Sequence, residues 1–139
     1  NVVIYKADNK EMVKVLFNID IINQLVKAKT TRMYKDVIDK FELPASKVLI
    51  FKLQKERVAL STKNNEKLML KVNMNFFRSA LYFSDKKKYR NIKVVENSLN
   101  EIIENKITLK SFKRMGDNFI LEFYPITEKE RLDLLKQLE

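Results

Sequence analysis

The chain has 139 residues, with 28 basic residues against 18 acids, a net charge of +10, and no histidine or cysteine. These counts exclude disulfides and thiolate metal sites, and a single glycine excludes a glycine-rich phosphate loop. We therefore expect no enzymatic activity, no cofactor and no metal. The length predicts a single domain over residues 1–139, and a strand-like start without methionine is typical of a segment of a longer chain.

The N-terminal third predicts a hairpin followed by two helices. Val2–Ala7 is strand-like, residues 8–10 have turn chemistry, and Val13, Val15, Phe17 and Ile19 then alternate at every second position, so residues 1–19 predict a hairpin. The next apolar pattern is helical, and Pro44 ends it. The two expected helices cover 21–29 and about 31–41, with Thr30 or Thr31 as the cap between them.

The positive charge is concentrated in residues 47–93, which hold thirteen bases and three acids. That excess equals the net charge of the whole protein, so the remaining residues balance to zero. A concentrated positive field selects polyanions, whereas spread charge mainly keeps a protein soluble. Drift in an AT-rich genome would account for the excess of lysine over arginine, but it does not account for the scarcity of acids in this segment.

The first half of this basic segment has two open interpretations. As strands, it forms a three-stranded meander over Lys47–Gln54, Arg57–Lys63 and Lys67–Asn75. The third strand alternates well, since Leu68, Leu70 and Val72 would point inward and Lys67 and Lys71 outward. This interpretation gives a basic outer sheet face.

As a helix, Ser46 would cap residues 47–57, and a hairpin over Val58–Val72 would follow. The order helix, helix, helix, hairpin over residues 20–72 resembles a winged helix-turn-helix, with an α+β half after it. That resemblance implies duplex DNA contacts from the third helix and from the hairpin. The run Val48–Phe51, apolar on all sides and rich in β-formers, favours strands over this alternative.

The C-terminal half predicts further mixed structure. Residues 76–83 permit a short helix, with their aromatic residues in the core, and Asn91–Glu96 predicts a strand. Ser98 with Glu101 predicts a capping box for a helix to about residue 106. A hairpin over 107–126 turns at Gly116, and Thr127 with Glu130 caps a terminal helix. The predicted class is α+β, built from antiparallel hairpins or a meander with about four short helices.

The function expected from these features is non-catalytic nucleic-acid binding through the phosphate backbone, with DNA slightly favoured over RNA. The alternative is a protein–protein interaction domain of a larger assembly that meets an acidic partner. A membrane partner is not expected, and the cysteine-free composition fits an intracellular reducing compartment, cytoplasm or nucleus. The candidate nucleic-acid contacts are Lys52, Lys55, Arg57, Lys63, Lys67, Lys71, Arg78, Lys86, Lys87, Lys88, Tyr89, Arg90 and Lys93.

Overall fold

A computed structural model describes residues 24, 26–32, 34–83 and 87–136. The hairpin expected over residues 1–19 lies outside the described residues. Helical residues 26–32 and 34–40 are called α1. The elements that follow are α2 Pro44–Ser61, β1 Leu68–Asn73, α3 Met74–Arg78, α4 Lys88–Glu104, β2 Leu109–Met115, β3 Asn118–Phe123 and α5 Glu128–Lys136.

The expected break between two N-terminal helices is wrong, because Thr30 and Thr31 both lie within helical residues 26–32. The Thr31 hydroxyl donates to the carbonyl oxygen of Lys27 at 2.9 Å, one helical turn earlier. This back-bond satisfies the hydroxyl inside a helix, so threonine here does not act as a cap. The expected end of the helix is confirmed, since helical structure stops at residue 40 and Pro44 opens α2.

Residues 47–57 are helical, so the strands expected at Lys47–Gln54 and Arg57–Lys63 are wrong. Along α2, Leu49, Ile50 and Leu53 are completely buried at helical spacing. Val48 is 49% exposed, so the run Val48–Phe51 has one buried side and one exposed side although all its residues are apolar. Burial of one side of an 18-residue helix outweighs the local β-propensity of the run.

The sheet joins strands from distant parts of the chain. Its order is β1-β3-β2, and both pairings are antiparallel. The predicted alternation in β1 is confirmed, because Leu68, Leu70 and Val72 lie toward the core while Lys71 is exposed. The hairpin at Gly116 is also confirmed, with Gly116 at φ +61° in the turn between β2 and β3.

The winged helix-turn-helix expected over residues 20–72 is wrong at that position. Val58 belongs to α2, and β1 pairs with β3, which lies 45 or more residues later in the sequence. No Val58–Val72 hairpin therefore forms. The coarser prediction of a mixed α+β class is confirmed. In the described part of the chain, helices and a three-stranded antiparallel sheet share one apolar core.

Helix α4 replaces the strand expected at Asn91–Glu96, which is therefore wrong. Ser98 lies in the middle of this helix and donates to the carbonyl oxygen of Val94 at 2.9 Å, so it is not a cap. Glu101 instead accepts hydrogen bonds from the backbone N–H groups of Glu42 and Leu43, at 2.8 and 3.3 Å. It thus satisfies backbone donors just before α2 and fixes that helix against α4.

The core lies between the inner face of the sheet and the pair α2 and α4. Phe77 of α3 and Phe119 of β3 are fully buried and meet edge to face, with ring centroids 5.0 Å apart. Leu99 of α4 is completely buried in the same cluster. The core therefore fixes α3, α4 and the hairpin relative to one another.

Candidate nucleic-acid interface

Helix α4 has one buried and one exposed side. Val95, Leu99 and Ile102 are 0% exposed and follow the i, i+4, i+7 spacing of a single helical stripe. This stripe packs against α2 and β2. The opposite side of the helix is consequently presented to solvent as a rigid surface.

From Lys88 to Asn100 the exposed side of α4 carries cations and amides, and the exposed Glu104 follows on the same side in the last turn. Its side chains lie within one arc of the helix, and residues 87–95 contain no acid. Tyr89 is 63% exposed and Val94 is 42% exposed. We call this surface the α4 face; it consists of Tyr89, Arg90, Lys93, Val94, Asn97 and Asn100.

The β2–β3 hairpin lies alongside the α4 face. Lys88, in the first turn of α4, forms an ion pair with Asp117 at the tip of the hairpin. Two helical turns later, the Nε atom of Arg114 in β2 lies 3.4 Å from a carboxylate oxygen of Glu96. These two contacts, about 12 Å apart along the helix, hold the hairpin parallel to one flank of the helix.

Residues 78–83 and Asn91 line an open cleft beside the start of the α4 face. Arg78, Tyr82 and Asn91 contribute to its wall, and its volume is about 570 Å³. Arg78 is exposed, and its Nη1 donates to the side-chain oxygen of Asn75 at 2.9 Å. Tyr82 is 93% exposed, so the expectation that this aromatic lies in the core is wrong.

Part of the basic cluster predicted at residues 86–93 lies at the start of α4. Lys86 lies outside the described residues. Lys87 immediately precedes α4, and it is exposed together with Lys88, Arg90 and Lys93. The guanidinium carbon of Arg90 lies 5.8 Å from the centroid of the Tyr89 ring, so these two exposed side chains are neighbours.

Three predicted cations lie elsewhere on the molecule. Lys67 precedes β1 at the end where Leu68 pairs with Phe123, whereas the hairpin turn is at the other end of the sheet. The length of β1 separates these two ends by about 17 Å. Lys63 lies in the same loop as Lys67, and Lys71 is exposed on the sheet face opposite the core.

The two lysines predicted on α2 are not part of the α4 face. Lys55 is exposed, whereas Lys52 is partly buried and its Nζ lies 4.6 Å from the centroid of the Phe76 ring in α3. This cation–π contact joins α2 to α3 and orients the Lys52 side chain.

Arg57 is wrong as a nucleic-acid contact, because it is only 2% exposed. Its guanidinium forms a fork with the Glu130 carboxylate, with distances of 2.8 Å from Nη1 and 3.0 Å from Nη2. It also donates to the carbonyl oxygens of Tyr124 and Pro125. Position 57 lies on the buried stripe of α2, which the strand interpretation did not show.

Val94, Asn97 and Asn100 were missed as surface residues, because a strand was expected up to residue 96 and a cap at residue 98. The apolar residues at 92, 95, 99 and 102 repeat with helical spacing across both predicted elements. That period, followed from residue 88 onward, is the signal for one continuous helix with an exposed polar stripe.

The described residues include no cluster of three or more acidic side chains that could hold a metal ion. Among the same residues, no helix combines the length and the apolar character needed to cross a membrane. No family model, curated protein or solved structure matches the chain. The candidate interface is therefore described by its geometry alone: a cationic helix face, an adjoining hairpin and a cleft lined by residues 78–83 and Asn91.

Proposed function

We propose that this protein is a non-catalytic nucleic-acid-binding module that binds duplex DNA through the α4 face, with α4 lying in the major groove. The observation that carries the proposal is the pairing of this exposed, cationic helix with the hairpin held along its flank by Lys88–Asp117 and Arg114–Glu96. The major groove is about 12 Å wide and admits one α-helix.

The order of the elements supports the same mode of binding. Helices α3 and α4 are followed directly by the β2–β3 hairpin, and β1 completes a sheet with β3 in the centre. This order resembles that of a winged helix-turn-helix, but over residues 44–123 rather than 20–72. The likeness is an analogy of topology, and it assigns α4 to the major groove and the hairpin to the adjoining backbone.

Electrostatics supports contact with phosphates. Lys87, Lys88, Arg90 and Lys93 lie in or next to the first two turns of α4, where the helix dipole adds positive potential. Each phosphate neutralised changes the slope of log affinity against log salt by about −0.9 for duplex DNA. With Lys88 held by Asp117, contacts from Lys87, Arg90 and Lys93 give a slope of about −2.7. A nucleic-acid partner implies an intracellular location, in the cytoplasm or nucleus.

The test is a fluorescence-anisotropy titration of labelled duplex DNA, single-stranded DNA and RNA from 50 to 300 mM salt. The first variant carries Lys87→Glu, Arg90→Glu and Lys93→Glu. The matched control carries Lys63→Glu, Lys67→Glu and Lys71→Glu, which change the net charge equally on other surfaces. We expect the first variant to lose duplex affinity by a factor on the order of 100, and the control by less than about fivefold.

Three outcomes contradict the proposal. No binding of the wild-type chain at 50 mM salt rejects nucleic-acid binding. Equal losses in the two triple variants reject the α4 face and leave only general charge attraction. Tighter binding of single-stranded DNA or RNA than of duplex rejects the major-groove geometry.

The outer face of the sheet favours a second candidate function, binding of an acidic protein partner. Met69 and Met115 are 42% and 59% exposed there, and Lys71 lies in register with Lys113 across β3. Met69 is flanked by Lys67 and Lys71, Met115 follows Lys113 along β2, and Glu122 lies opposite Met69. This mixed apolar and largely basic surface suits an acidic partner. A pull-down after nuclease treatment tests it: an acidic protein that Met69→Glu releases supports this function, and an empty eluate rejects it.

A further inference from the structure

The part of the α4 face farther along the helix is uncharged. Val94 is 42% exposed, and Asn97 and Asn100 are both exposed. Within the described part of the chain, neither asparagine side-chain amide has a hydrogen-bond partner. These side chains therefore present free polar and apolar groups directly beyond the cations.

None of these three residues is explained by the stability of the helix. Asparagine is a weak helix former, and an exposed valine loses rotamer freedom in a helix. The packing of α4 depends on the opposite stripe of Val95, Leu99 and Ile102. A requirement for ligand contact accounts for Val94 and Asn97 better than a requirement for folding does.

We infer that the α4 face reads base sequence, with Asn97 recognising adenine and Val94 contacting the methyl group of a neighbouring thymine. The inference rests on the proposed binding of duplex DNA. An asparagine amide offers one donor and one acceptor, which match N7 and the N6 amino group of adenine in the major groove. The valine methyl groups match the only apolar group exposed in that groove, the C5-methyl of thymine.

The spacing of the two residues agrees with neighbouring base pairs. Val94 and Asn97 are three residues apart, so they are neighbours on the helix surface and are offset by about 4.5 Å along its axis. This offset is close to the rise of about 3.4 Å between base pairs. Together the two side chains select two adjacent A·T pairs. Asn97 reads the adenine of one pair, and Val94 contacts the thymine methyl group of the other.

Asn100 supplies a matched control on the same helix. It has the same chemistry as Asn97 and is also exposed, but it lies nearly one turn farther from the N-terminal end of α4. At about 100° per residue, Asn97 lies about 60° around the helix from Val94 and Asn100 about 120°, so a groove that seats Val94 against a base leaves Asn100 to the side. Asn97→Ala should therefore affect base recognition and Asn100→Ala should not.

The experiment first selects bound duplexes from a randomised library, using the full chain at 150 mM salt. Affinities for the selected duplex and for a scrambled duplex are then measured for wild type, Asn97→Ala, Val94→Ala and Asn100→Ala. Two modified duplexes are included: 7-deazaadenine removes N7 of adenine, and uracil removes the methyl group of thymine. The scrambled duplex reports backbone binding, so it separates the inference from the proposed function.

We expect selection to enrich sites with adjacent A·T pairs. Asn97→Ala should lower the ratio of selected to scrambled affinity by about 5- to 100-fold, with less than about twofold change on the scrambled duplex. Uracil should weaken the wild type but not Val94→Ala, and 7-deazaadenine should weaken the wild type but not Asn97→Ala.

Binding without enrichment, or enrichment that Asn97→Ala leaves intact, overturns the inference while the proposed function stands. An equal effect of Asn100→Ala also overturns it, because the effect then belongs to the helix as a whole. Failure to bind any duplex overturns the proposed function and the inference together.

Discussion

Arg57 and Glu130 form a buried, forked ion pair that joins α5 to the last third of α2. The two hydrogen bonds between them measure 2.8 and 3.0 Å, and the two residues are 2% and 6% exposed. Glu130 also accepts from the backbone N–H of Thr127, whose hydroxyl accepts from the N–H of Glu130, at 3.1 Å each. The expected capping box is thus confirmed, and it is joined to a buried charge.

Arg57→Met should destabilise the protein by about 3–5 kcal/mol, because it leaves the Glu130 carboxylate buried without its partner. The double variant Arg57→Met with Glu130→Leu should recover most of that loss, since it removes both charges. Urea unfolding followed by circular dichroism at pH 7 measures the free energy of unfolding. A double variant as unstable as the single one would assign the cost to the other hydrogen bonds of Arg57 and Glu130, to Tyr124, Pro125 and Thr127, rather than to the unpaired charge.

The same ion pair makes stability depend on pH. Burial raises the pKa of Glu130, but the hydrogen bonds and positive charge of Arg57, together with Thr127, outweigh it and hold the pKa below the ordinary value of 4.5. Because the folded pKa is depressed, the stabilisation is complete above the unfolded value and is lost as pH falls through the folded value. Wild type should therefore lose stability between pH 5 and 3 more steeply than Glu130→Gln, as measured by urea midpoints across that range. Parallel curves for the two proteins would contradict this assignment.

Asp117→Asn should tighten binding to duplex DNA about two- to fivefold at 100 mM salt and less at 300 mM, because it removes a carboxylate from the hairpin tip and releases Lys88 for phosphate. The Lys88–Asp117 pair is about half exposed, so unfolding free energy should change by less than about 1 kcal/mol. Anisotropy titrations measure the affinity. Asp36→Asn, an exposed aspartate of α1, is the control, and an equal gain there would mean that only net charge matters.

Gly116→Ala should destabilise the protein by about 1 kcal/mol, because the residue has a φ of +61°, which L-residues other than glycine adopt at a cost. A Cβ atom at this position would meet nothing within 4 Å, so no steric clash adds to the backbone term. Thermal or urea unfolding gives the loss directly. A loss above about 3 kcal/mol would disagree with the open space around the turn.

Local patterns were sufficient where the determining contacts are close in sequence. The hairpin at Gly116 and the capping box of Thr127 with Glu130 both follow from residues within a few positions of each other, and both are confirmed. The alternation of Leu68, Leu70 and Val72 likewise indicated β1 correctly. In each case the backbone requirement and the residue that meets it lie within one turn or one strand.

The predictions of strands at residues 47–57 and 91–96 were wrong. Their β-rich composition is a property of short windows, whereas their burial is decided by contacts with distant elements. Leu49 and Leu53 are buried by α4 and β1, and Val95 and Leu99 by α2 and β2. The core favours two long helices at these positions over the local propensity for strands. Without the first two strands there is no basic face of a three-stranded meander, and Lys63, Lys67 and Lys71 lie on other surfaces than Lys93.

By itself, the sequence determined a +10 charge concentrated in residues 47–93, the absence of histidine and cysteine chemistry, the hairpin turn and the α+β class. Only the tertiary structure decided which cations share a surface, since that depends on helical phase and on the pairing of β1 with β3 across 45 or more residues. It buried Arg57 against Glu130 and brought Asp117 to Lys88. Charge is counted along the chain, but a binding surface is formed by packing, and packing is set by contacts between residues far apart in sequence.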